Sequence, residues 1–170
     1  MTEPNGKLKT VEAVVVRCDF LEAGVGGAFA SANARAATSG KTTIPSGGAQ
    51  IVPFSVITYD DDGAGGTRFD AGTYTYTNGA TAALHAIDVT LTLQPAGATA
   101  NTFVTLNING APAVTTVWPA LAGSYVAQIH DRLNVPAGGT VSVFVNNATD
   151  NVDVATGSAI TIRSLGPSVS

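Results

Sequence analysis

Residues Leu133 to Phe144 read Leu-Asn-Val-Pro-Ala-Gly-Gly-Thr-Val-Ser-Val-Phe, two stretches of alternating character on either side of a Pro/Gly turn. Pro136 presets φ for a turn, and Gly138 and Gly139 admit positive φ at little steric cost. Past the turn, Val141, Val143 and Val145 fall on one face, with Ser142 and Asn146 on the other. A period of two on both sides of a tight turn predicts a β-hairpin, and it sets the pattern for the rest of the chain.

From Ile44 onward the same grammar repeats. Ile44 to Gly48 reads as a turn, Ala49 to Phe54 as a strand whose Pro53 marks an edge or a bulge, and Tyr59 to Gly66 as an acidic, glycine-rich loop. Phe69-Asp70 and Thr73 to Thr77 are short strands, the second stopped by Asn78-Gly79. In the strand Ala86 to Leu93, Ile87, Val89, Leu91 and Leu93 lie on one side, with Asp88, Thr90 and Thr92 on the other. Pro95 to Gly97 turns the chain into Thr102 to Ile108, and Asn109-Gly110 is a two-residue hairpin signal leading to Ala113 to Trp118. Tyr125 to Leu133 precedes the Pro/Gly turn, and Ser158 to Leu165 is the last strand. About eight strands with no convincing helix after residue 40 predict an all-β fold, a sandwich or a jelly roll.

The first forty residues differ. Thr10 to Arg17 is β-branched, but Gly24 to Arg35 is a Gly/Ala/Ser-rich stretch that reads either as a flexible arm or, in its Ala-rich part, as a short helix. The expected division is an extended N-terminal arm at residues 1–41 and a jelly-roll domain at residues 42–170. An N-terminal strand added to the main sheet is the competing reading.

Charge limits the partners. Lys and Arg number 8 against 12 Asp and Glu, for a formal net charge of −4, and the basic residues are scattered. No stripe exists to neutralise a phosphate backbone, so nucleic acid is not expected as a partner. No run approaches the roughly 18 apolar residues of a membrane span, and the N-terminus has no signal-peptide core, so neither a membrane nor Sec export is expected. Cys18, without a second cysteine, reads as a buried small apolar residue or an intermolecular thiol.

Residues with chemical potential are few. Asp60, Asp61 and Asp62, with Asp70 nearby, offer hard oxygen ligands, but the spacing departs from a calcium-binding loop, and an acidic turn that caps the neighbouring strands is the better reading. His85 and His130 are too few for a three-histidine metal site. Ser124, Asp131 and His130 do not make a triad, since alternation sends His130 and Asp131 to opposite faces. Trp118 reads as a core anchor at a strand end. No catalytic, cofactor or metal residues are therefore expected.

The ordered set Ile44-Pro45, Val52 to Phe54, Tyr59 to Gly63, Phe69-Asp70, Tyr74 to Tyr76, the strand ending at Leu93, Asn109-Gly110, Leu133-x-Val135-x-Ala137-Gly138 and Val141-x-Val143-x-Val145 resembles the globular heads of the complement and tumour-necrosis-factor jelly-roll superfamily. Bacterial and phage members are the most similar in kind. The resemblance covers about residues 42 to 165 and departs from the family at Leu84-His85-Ala86 and at Gly139. It implies an all-β antiparallel β-sandwich with jelly-roll topology that assembles as a tight homotrimer, with one sheet around the three-fold axis. Combined with the alternation, that places Asp88, Thr90, Thr92, Gln128, His130, Arg132 and Arg163 at the subunit interface. Asp88 is then expected to meet Arg163 or His130, because a charge at such an interface is costly unless paired.

The functional expectation is a non-enzymatic virion protein assembled in a host cytoplasm: a trimeric phage head decoration protein on the capsid surface. It would grip the major capsid protein through its arm, with Val11, Val14, Val15, Val16, Phe20 and Leu21 as the docking residues. The alternative is a trimeric head of a tail fibre or cell-surface structure that binds a receptor or carbohydrate through loops such as Tyr59 to Arg68 and Asn146 to Gly157.

Overall fold

The computed structural model describes residues 33–61, 67–121 and 123–167. These residues hold strands and no helix: β1 (Asn33–Ala37), β2 (Thr42–Ile44), β3 (Gln50–Ile51), β4 (Val56–Asp61), β5 (Phe69–Asp70), β6 (Thr75–Thr77), β7 (Ala83–Pro95), β8 (Thr102–Ile108), β9 (Ala111–Trp118), β10 (Tyr125–Val135), β11 (Thr140–Asn147), β12 (Val152–Val154) and β13 (Ala159–Pro167). They build two antiparallel sheets, the expected jelly-roll sandwich.

In the first sheet β7 is the spine. β10 lies along one side of it, from Tyr125 opposite Leu93 to Val135 opposite Ala83, while β12 and β13 follow each other along the other side. Beyond them come β2 and β1, and β4 closes the sheet outside β1. The second sheet runs β5, β6, β11, β8, β9, with β3 also pairing with β11. Ile87, Val89, Leu91 and Leu93 of β7 and Val141, Val143 and Val145 of β11 are all fully buried between the layers. Each such side chain contributes roughly 1.5–3 kcal/mol of burial free energy, and the period of two on both strands delivers them to one core.

The Leu133 to Phe144 stretch is not a hairpin. β10 pairs with β7 in the first sheet, whereas β11 pairs with β8, β6 and β3 in the second. The Pro/Gly turn is a corner that carries the chain from one layer to the other. Turn residues encode a reversal but not the partner of the strand that follows, so a hairpin and a corner look alike in sequence. The corner is held from outside: the buried Asn78 side chain donates to the carbonyls of Val135 and Pro136, each at 2.9 Å. Backbone bonds from Gly138 to Gly79 and from Asn78 to Gly139, both 2.8 Å, lock the two turns together. A β-carbon at Gly139 would sit 2.9 Å from the Pro136 oxygen. Asn109-Gly110, by contrast, is a true hairpin turn between β8 and β9, with φ of 52° and 77° as a type I′ turn requires.

Four further expectations change. Asn33 to Ala37, assigned above to the arm, is β1 and is hydrogen-bonded on both sides, so the sandwich reaches back at least to Asn33 rather than starting at residue 42. Tyr59, Asp60 and Asp61, read as loop, end β4. The strand expected from Ala49 to Phe54 is only Gln50–Ile51, and β12 lies inside the supposed loop Asn146 to Gly157. Paired interruptions separate β1 from β2 and β12 from β13. They are stitched to each other by Thr38, whose N–H donates to Ser158 and whose hydroxyl donates to Ala155.

One polar pair lies deep in the sandwich. Nδ1 of fully buried His85 is 3.1 Å from the Ala83 carbonyl, which can only accept, so the proton sits on Nδ1. Nε2 is then the acceptor for the Tyr76 hydroxyl at 3.2 Å. Burial lowers the His85 pKa and pushes that of Tyr76 up to about 12.

Candidate functional site

The outward face of the first sheet gathers the polar residues that alternation singled out. Along β7, Asp88, Thr90 and Thr92 point away from the core, as their exposure alternates with fully buried neighbours. β10 sets His130 opposite Asp88 and Gln128 opposite Thr90, and Arg132 lies opposite Ala86. On the other side of β7, β13 sets Thr161 opposite Asp88 and Arg163 opposite Ala86. The face therefore brings together all seven residues named for it.

Asp88 is the hub. Its Oδ1 lies 2.8 Å from Nδ1 of His130 and its Oδ2 lies 3.3 Å from the Arg163 guanidinium. Both partners come from the same chain, one from each neighbouring strand. The Asp88 side chain is 34% exposed, against 59% for His130 and 57% for Arg163. In water such an exposed pair contributes about 0–1 kcal/mol, so the group's effect on stability of the single chain is small. Val126 on β10 and Leu165 on β13 are exposed apolar side chains on these same flanking strands.

Beside this face, at the start of β10, Tyr125 stacks on Trp118 from the end of β9, with ring centroids 5.6 Å apart and planes at 25°. Trp118 packs against the core, and burial raises the Tyr125 pKa. Val117 and Leu121 next to the stack are exposed. Among the described residues, β9 and β10 each close one side of their own sheet.

The remaining candidates are structural in place. Asp60 Oδ2 accepts from the backbone N–H groups of Arg68 and Phe69, at 2.8 and 2.7 Å, and so ties β4 to β5. Asp70 Oδ1 accepts from Gly72 and Thr73, which lowers its pKa. Among the described residues no cluster of three or more His, Cys, Asp or Glu is placed to hold a metal ion. Asp62 lies outside the described residues. At the end of β11, Asn147 donates to Ala100 and Thr102 and accepts from Thr149 and Asp150 of the loop that follows, while Asp150 accepts from Thr99. These polar groups hold the loop's own shape. Val11, Val14, Val15, Val16, Phe20, Leu21 and Cys18 lie outside the described residues.

No protein-family model matches the sequence, and no curated protein does. Solved structures match the fold over most of the chain. The phage PRD1 vertex protein P5 superposes with a TM-score of 0.56 at 12% identity, over 82% of this chain and 100% of that one. Murine APRIL gives 0.57 at 9%, over 79% and 99%. Eiger TNF from S. frugiperda gives 0.53 at 14%, over 82% and 94%. The fold is thus a tumour-necrosis-factor-like jelly roll that a phage protein shares.

Proposed function

We propose that this chain is a non-enzymatic virion structural protein, a homotrimeric head decoration protein that docks on the major capsid protein through the residues ahead of β1. The outward face of β7, β10 and β13 is the trimer contact in this reading, with Asp88, Thr90, Thr92, Gln128, His130, Arg132 and Arg163 near the three-fold axis. The observation that carries it is the Asp88 hub between exposed Val126 and Leu165. An aspartate held from both sides within its own chain can be covered by another copy without leaving a bare charge. Sharing a fold with a phage vertex protein over that protein's whole length supports a place in the virion.

The test has two parts. Light scattering should give three times the chain mass, and a single-chain mass overturns the trimer. Deleting residues 1–32, which stops short of β1, should abolish binding to capsids while leaving the trimer intact. A receptor- or carbohydrate-binding head would instead keep its ligand after that deletion. The internal engagement of Asn147 and Asp150 speaks for decoration rather than recognition by that loop.

A further inference from the structure

His130 is the titrating member of the Asp88 group. Of the residue types in that group, histidine alone changes charge between about pH 5 and 8. Its Nδ1 lies 2.8 Å from Asp88 Oδ1, and a carboxylate only accepts, so Nδ1 carries a proton in either charge state. Charging His130 therefore adds a proton at Nε2 and leaves this hydrogen bond in place. What changes is the charge balance of the face. Asp88 on β7 is shared with Arg163 on β13, 3.3 Å from its other oxygen. Arg132 lies two residues along β10 on the same outward face, while Asp131 between them is on the other. β9, which packs against β10, has no ionisable side chain. Arg35 on β1 stands three strands away from His130. With His130 neutral, two arginines surround one aspartate; with it charged, three cations do.

We infer that this face carries a pH switch on assembly: copies of the chain associate while His130 is neutral and separate as its Nε2 takes up a proton. The inference rests on the trimer reading above and gives that contact its regulation. Charges covered by a neighbouring copy are costly unless balanced, and three-fold symmetry repeats each added charge three times. In the single chain the His130 side chain is 59% exposed and water screens the added charge, so the switch acts on assembly and leaves the fold alone. Assembly that excludes one proton per chain links three protons to one trimer. Below the histidine titration the association constant then falls by up to about a thousandfold per pH unit, which raises the half-assembly concentration up to roughly thirtyfold.

Sedimentation of the full-length chain at pH 8 and pH 5.5 tests it, with circular dichroism at each pH to show that the sandwich is folded. The wild type should be a trimer at pH 8, and its half-assembly concentration should rise at least about tenfold at pH 5.5. His130→Gln is neutral at both pH values and keeps an N–H for Asp88, so it should hold the pH 8 value throughout. His130→Lys is charged at both and should need the higher concentration already at pH 8. Buried His85 is present in all three chains, so a loss it causes in acid would appear in His130→Gln as well. A wild-type trimer that acid leaves unchanged or tightens overturns the switch and leaves the trimer reading standing. So does a His130→Gln trimer that weakens as the wild type does, or a His130→Lys trimer as tight as the wild type at pH 8. A single-chain mass at both pH values overturns the trimer reading and the switch with it.

Discussion

The Tyr76 hydroxyl donates to Nε2 of His85 across 3.2 Å, inside a sandwich from which both rings are wholly excluded from solvent. The two groups fix their protonation states jointly: His85 is neutral with its proton on Nδ1, and Tyr76 is protonated.

Stability should therefore fall at both ends of the pH scale. The folded-state pKa of His85 lies below the usual 6.5, so its contribution is complete above about pH 6.5 and declines as pH drops below it, where the unfolded chain takes the proton first. Tyr76 is raised from 10.0 to about 12, so its contribution is complete below pH 10 and is lost as pH rises from there towards 12. Urea denaturation across pH measures both limbs. Tyr76→Phe should shrink the alkaline limb to what Tyr125 contributes and cost roughly 1–2 kcal/mol at neutral pH, because Nε2 of His85 is left without a donor.

Asn78 joins the turn after β6 to the corner between the layers, donating to Thr81, Val135 and Pro136. Asn78→Ala should destabilise the chain by roughly 2–3 kcal/mol, read as a lower denaturation midpoint with an unchanged slope. Gly139→Ala should also destabilise, because the added carbon meets the Pro136 carbonyl.

Asp88→Ala leaves Arg163 and His130 facing an empty position. In a single chain the cost should stay under about 1 kcal/mol. Light scattering should nevertheless show loss of the trimer at concentrations where the wild type is intact, since two uncompensated groups would then be covered. A trimer unaffected by Asp88→Ala would move the subunit contact elsewhere.

Asp60 serves as an acceptor for two backbone N–H groups. Asp60→Ala should cost roughly 1–3 kcal/mol, while thermal midpoints in chelator and in millimolar calcium should coincide. A calcium-dependent rise would assign the acidic turn a metal.

The strands that bury one face were legible. β7 follows from alternation and β8 from the turn signals that bracket it, and the Asp88 face follows from β7, because a period of two fixes which side chains share a side. The sheet partners were not legible. Pro136 to Gly139 announces a reversal, but whether Thr140 continues beside β10 or crosses to β8 depends on residues far away, among them Asn78. β1 was hidden because Asn-Ala-Arg-Ala-Ala has no strand propensity, and tertiary pairing on both sides overrides it. The end of β4 was hidden because Asp60 and Asp61 look like loop residues.

The two turns that look alike in sequence differ in what depends on them. Opening the backbone at Asn109-Gly110 would leave β8 and β9 beside each other in one sheet, so a circularly permuted chain with new termini there keeps every neighbour it had. Opening it between Pro136 and Gly139 would cut one of several connections that pass between the layers, and with it the corner that supplies the partners of Asn78 and Gly79. New termini at the corner should therefore cost more than new termini at Asn109-Gly110, because they free groups that a second turn depends on.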